Sequence, residues 1–172
     1  IFIEFINGQK LDQIEGLTIK QKIDIIFELM IVIEYIHRKH YIYRDIKPDN
    51  IIIDENKTAV LIDFDRMRSV DGISDDSVFS TNFGSTYAQP EQLTIEHAYK
   101  GDIYSLGRVI YFIMNENFKN YPKMEEIYEN CTKINPEERP TLADIAKSPA
   151  FFQLSIRSLR FLDLLATKEL ED

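Results

Sequence analysis

At 172 residues the chain is long enough to bury one hydrophobic core, and a single domain is the natural expectation. With 44% hydrophobic and 28% charged residues it has an ordinary globular composition, which excludes a disordered chain. A net charge of −9 argues against a protein whose main partner is the nucleic acid backbone.

A lone cysteine, Cys131, cannot close an intrachain disulfide, and the three histidines do not stand at zinc-ligand spacing with it. That usage suits a reducing compartment and leads us to expect an intracellular, cytoplasmic protein. No apolar run is long enough to span a bilayer, so no membrane span is expected.

In chain order, residues 1–7 read as a short strand that Gly8 should break. Thr18 and Gln21 form a capping-box pattern, and Ile23, Ile26, Phe27, Met30 and Ile33 follow at helical spacing, predicting a long buried helix to about residue 39. Residues 41–50 are polar, contain Pro48 and read as a loop; 51–53 and 59–62 are apolar runs around a turn, a hairpin. Residues 63–91 lack periodicity, and so long a loop inside a compact domain suggests function. The run 103–114 is apolar almost all round, predicting a helix buried on most sides. Shorter helices are expected at 123–133 and 141–147, with an amphipathic segment at 155–170.

The chemistry concentrates in Tyr43-Arg44-Asp45-Ile46-Lys47-Pro48-Asp49-Asn50 and in Asp63-Phe64-Asp65 after the hairpin. Asp63 and Asn50 offer hard oxygens of the kind Mg²⁺ takes alongside phosphate. Asp45 is left to accept a proton from an incoming hydroxyl, and Lys47 to balance charge on a transferring group.

These residues resemble, in order and spacing, the catalytic loop and metal-binding triplet of the eukaryotic-type protein kinases. Further blocks extend the likeness over residues 1–147. Gln89-Pro90-Glu91 resembles the end of the activation segment, and Asp102-Ile103-Tyr104-Ser105-Leu106-Gly107 the opening of the central helix. Arg139-Pro140-Thr141 resembles the late arginine, Ile1 to Gly8 the adenine-holding hinge, and Tyr35-Ile36-His37 the end of the long helix.

The resemblance implies a mainly α fold with small β elements: the C-terminal, larger lobe of a kinase, with the N-terminal lobe absent. Residues 1–147 would be the kinase portion and 148–172 a C-terminal helical extension. It also implies transfer of the ATP γ-phosphate to Ser/Thr hydroxyls of a protein substrate. Asp45 would be the base, Lys47 a phosphate contact, and Asn50 and Asp63 the Mg²⁺ ligands. The backbone of Glu4 and Ile6 would meet adenine, with Ile52 beneath it. Arg44 would answer activation-loop phosphorylation, for which Ser74, Ser77, Ser80, Thr81, Ser85 and Thr86 are candidate acceptors. Phe64 would pack in the metal triplet, while Glu91 would pair with Arg139 and Asp102 would hold loop backbone. His37 and Cys131 are expected to be structural.

Five departures from the family pattern stand out. No Gly-x-Gly-x-x-Gly loop occurs among the six glycines, so this stretch alone is expected to turn over little. Asp65 replaces a glycine, which should stiffen the triplet; Tyr43 replaces a histidine and should pack on Phe64. The region between 114 and 123 is short, and Gly84 falls where a substrate-side threonine is expected, which weakens protein-substrate recognition. The alternative reading is a non-catalytic, pseudokinase-like interaction module whose open face is covered by a partner.

Overall fold

The computed structural model describes residues 6–71, 86–90, 94 and 97–151. The first long element is helix α1 (Ile19–Arg38). It starts where the capping box predicts: the Thr18 hydroxyl accepts from the Gln21 amide, and the Gln21 side chain accepts from the Thr18 amide. His37 and Arg38 place basic groups on its last turn, where the helix dipole favours them. Ile25, Ile26, Leu29 and Ile33 are wholly buried, each contributing about 1.5–3 kcal/mol of transfer free energy.

The predicted hairpin is strand β3 (Ile51–Asp54) and strand β4 (Ala59–Leu61), antiparallel, with Ile51 opposite Leu61 and Ile53 opposite Ala59. Strand β1 (Gly8–Lys10) pairs with β3 on its other edge and makes a three-stranded sheet. Gly8 therefore opens a strand rather than breaking one. A Cβ at that position would lie 2.5 Å from the Ile53 carbonyl oxygen and 2.6 Å from Ile52 Cγ2. The glycine is there for close approach of two backbones, which local pattern does not reveal. Of the predicted strand over residues 1–7, residues 1–5 lie outside the described residues, and 6 and 7 are not in a strand.

Within the predicted loop 41–50 there are two short regular pieces. Strand β2 (Tyr41–Ile42) pairs antiparallel with strand β5 (Arg68–Ser69), and a 3₁₀ turn spans Pro48–Asn50. Helix α2 (Ala98–Met114) begins five residues before the predicted start at 103, so Asp102 lies inside it rather than at its opening. It is also not buried all round: Tyr111 is 38% and Phe112 41% exposed.

Only a 3₁₀ stretch, Asn115–Asn120, separates α2 from helix α3 (Pro122–Cys131). Helix α3 packs directly on α2 at Gly107, where a Cβ would lie 2.7 Å from Cys131 Cβ. Burial pushes the Cys131 thiol up to about 12, so it is an inert core group. Helix α4 (Leu142–Ala146) carries a second capping box, between Thr141 and Asp144. Phe151, four residues into the expected extension, is buried with its ring 5.4 Å from that of Phe27. The amphipathic segment 155–170 lies outside the described residues.

Candidate active site

The site is built where the loop between β2 and β3 meets the end of β4. Its anchor is Asp102 on α2, a carboxylate only 1% exposed. One of its oxygens accepts from the Arg44 amide at 2.8 Å; the other accepts from the Tyr43 amide at 2.8 Å and from Nε2–H of His37 at 2.9 Å. Buried backbone donors need such partners. Here they also hold Arg44 at φ 73°, a conformation that non-glycine residues seldom adopt.

That backbone turn brings Asp45 inward, where it is 8% exposed. Asp45 Oδ2 accepts from Lys47 Nζ at 2.9 Å and from Asn50 Nδ2 at 2.9 Å, and Arg66 Nε lies 3.7 Å away. Asn50 Nδ2 also donates to the Asp45 carbonyl at 3.0 Å. With its nitrogen committed to two acceptors, the Asn50 amide could offer its oxygen to a hard cation.

Asp63 reaches the same end of the hairpin because the Ile62 amide donates to the Asn50 carbonyl at 2.9 Å, extending the β3–β4 ladder by one bond. Asp63 sits at φ 64° with an exposed carboxylate, and its Oδ1 accepts from the Asp65 amide at 3.4 Å. One exposed carboxylate and one available amide oxygen on adjoining strand ends suit Mg²⁺, which binds few protein ligands and completes its shell with water and phosphate oxygens.

Tyr43 closes the site from below. Its hydroxyl donates to the Ile62 carbonyl, and its ring meets Phe64 edge-on at 5.5 Å, the contact expected from the sequence. Burial, then the negative fields of Asp45, Asp63 and Asp102, raises its pKa and keeps the hydroxyl a donor. Phe64 remains 46% exposed on its other side. The substitution of Asp65 for glycine has a local explanation. Asp65 does not take a positive φ; the left-handed residue of the triplet is Asp63.

Arg44 is half-buried, and its pKa is lowered by desolvation and then by the fields of Arg68 and Arg66, which marks three arginines on one side of the loop. Ile52 is half-buried on the face of β3 opposite Ile51 and Ile53, and Ile6 is half-buried just ahead of β1. Glu4 and Glu91 lie outside the described residues, as do Ser74, Ser77, Ser80, Thr81 and Ser85. Arg139 is 1% exposed and donates to the carbonyls of Lys133 (2.8 Å), Lys100 (3.0 Å) and Ile134 (3.2 Å), with its guanidinium over the Tyr104 ring.

Three residues escaped the sequence reading. Glu28 is buried in α1 and accepts from the Ala59 amide at 2.8 Å, tying helix to hairpin. Arg66 stands beside Asp45. Arg108 is the one cation in the apolar run 103–114, a signal that was visible, and its Nε donates to the Thr86 carbonyl at 3.1 Å.

Comparison with known proteins identifies the family. The model of the protein kinase domain family matches residues 1–129. Serine/threonine-protein kinase D of Synechocystis is 34% identical over 119 residues, which are 66% of this chain and 24% of that protein. Serine/threonine-protein kinase PknA of Nostoc is 33% identical over 132 residues, 71% of this chain and 23% of the relative. The probable serine/threonine-protein kinase ireA of Dictyostelium discoideum is 26% identical over 161 residues, 80% of this chain and 16% of the relative. The chain thus spans a quarter or less of the length of these three relatives. It belongs to the protein kinase domain family, with serine/threonine-protein kinases as its relatives.

Proposed function

We propose that this chain supplies the catalytic loop and metal ligands of a protein serine/threonine kinase, which transfers the γ-phosphate of ATP to a protein hydroxyl. The observation that carries the reading is the convergence of Asp45, Lys47 and Asn50 within hydrogen-bond distance, with Asp63 held beside them by the Ile62–Asn50 bond.

In this reading the Asp45 carboxylate accepts the proton of the incoming serine or threonine hydroxyl as that oxygen attacks phosphorus. Lys47, already on Asp45 Oδ2, turns its remaining donors to the transferring phosphoryl group. The Asn50 amide oxygen and the Asp63 carboxylate would hold Mg²⁺, which when bound would supply positive charge against the phosphates. Ile52 would lie on the adenine side, with the backbone of Ile6 and, as the resemblance implies, of Glu4 as hydrogen-bonding partners of the adenine. Asp102 and Tyr43 keep the loop and the triplet in register. Arg44, with Arg66 and Arg68 near it, is the place where activation-loop phosphate would be felt.

Residues 1–172 hold no glycine-rich cover for the phosphates, and the half-exposed Phe64 ring offers a surface for a covering lobe or partner. Transfer by this stretch alone should therefore be weak, and the assay belongs with the natural full-length protein. With labelled ATP, Mg²⁺ and mixed protein acceptors, label is expected on phosphoserine and phosphothreonine after acid hydrolysis. A full-length protein that binds Mg²⁺-ATP yet labels nothing contradicts the catalytic reading and favours the interaction module.

A further inference from the structure

Arg108, Tyr111 and Phe112 lie three and four residues apart on α2, so they share one face of the helix. In a helix that is otherwise the packed centre of the chain, this face is open: Tyr111 is 38% and Phe112 41% exposed. The short 115–120 connection sends the chain straight into α3, and the Tyr111 ring is backed by Phe118 and Tyr128 at 6.0 and 5.0 Å. Arg108 is half-buried, with its guanidinium over the Tyr111 ring at 5.6 Å and its Nε committed to the Thr86 carbonyl. Its two terminal nitrogens make no hydrogen bond among the described residues.

Through Thr86 this face is tied to the segment that leads toward the catalytic loop. Thr86 leads directly into Tyr87, which packs against the core and feels the charge of Asp49, the neighbour of Asn50. Burial raises the Tyr87 pKa, Asp49 and Asp12 raise it further, and Arg108 opposes them. Tyr87 therefore feels the Asp49 carboxylate of the catalytic loop and the Arg108 cation of α2, and Arg108 holds its neighbour Thr86.

We infer that Arg108, seated on the Tyr111–Phe112 face, is a specificity-determining residue that selects protein substrates bearing an aspartate or glutamate near the acceptor hydroxyl. This rests on the catalytic reading above. A guanidinium with Nε occupied still presents two parallel terminal N–H groups, a fork that matches a carboxylate, and Tyr111 fixes its plane. The exposed aromatic rings supply apolar contact beside it at low entropic cost. In a chain of net charge −9 an available cation beside the loop is a selective feature rather than a general attraction.

The test is fluorescence anisotropy of labelled serine peptides bound to the full-length protein, with Glu, Gln or Lys walked through four positions on each side of the serine. Glu should bind about tenfold tighter than Gln at one or two adjacent positions. Arg108→Gln should remove that difference, and Arg108→Glu should transfer the preference to Lys at the same position. No position favouring Glu in the unaltered protein, or a preference that survives Arg108→Gln, overturns the inference. Phosphoryl transfer measured on the same preparations separates the two readings. Preference without transfer overturns the catalytic reading and leaves Arg108 a peptide-binding residue rather than a selector of substrates, and transfer without preference overturns only this inference.

Discussion

Asp102→Ala is expected to destabilise the fold more than any other single change near the site. It strips partners from the buried Tyr43 and Arg44 amides and from His37. Two unsatisfied backbone donors at about 1–3 kcal/mol each give a loss of roughly 2–6 kcal/mol. Against a total stability of about 5–15 kcal/mol that is a large fraction. For a chain of this size it lowers Tm on the order of 10 °C. Asp102→Asn should fall between, because one amide oxygen can still accept while the NH₂ group faces the other donor. The left-handed turn at Arg44 loses its restraint in both variants, so phosphoryl transfer should fall along with Tm. A melting temperature for Asp102→Ala within a degree or two of the unaltered protein would show that α2 does not anchor the loop.

Asp45→Asn is expected to do the opposite: leave the fold and remove the chemistry. The amide matches the carboxylate in shape and can still accept from Lys47 or Asn50, so melting should change little. It cannot take a proton from a serine hydroxyl at neutral pH. A positioned base contributes about 10²–10⁴-fold to such a step, and transfer should fall by that factor. Mg²⁺-ATP affinity should be nearly unchanged, because the metal ligands proposed above are Asn50 and Asp63, not Asp45. Equal losses in transfer and in nucleotide binding would make Asp45 a binding residue instead. An unchanged rate would remove it from the mechanism.

Much of this arrangement was legible because it is written locally. The Thr18–Gln21 capping box, the helical spacing of Ile23 to Ile33 and the apolar pairs either side of residues 54–57 each act within a few positions, and α1 and the β3–β4 hairpin follow them closely. The meeting of Asp45, Lys47 and Asn50 was legible because they stand in one short stretch with the triplet one hairpin away.

What escaped depends on distant neighbours. Gly8 looks like a breaker until Ile53 is seen lying against it. The true start of α2 at Ala98 is hidden by the polar Lys100, Gly101 and Asp102, whose packing against Arg139 and the catalytic loop is tertiary. The concern over Asp65 rested on the conformational freedom of glycine, yet the positive φ falls on Asp63. Arg108 was visible as an odd charge in an apolar run, but its target, Thr86, is 22 residues away.

The central claim is that Asp63 and Asn50 form a working metal–phosphate site. It is tested most directly by calorimetric titration of ATP into the protein and its Asp63→Asn variant, with and without Mg²⁺. The account predicts binding that requires Mg²⁺ in the unaltered protein and a loss of at least about 10–100-fold in the variant, with both chains folded. Binding that ignores Mg²⁺, or that survives Asp63→Asn unchanged, would contradict it.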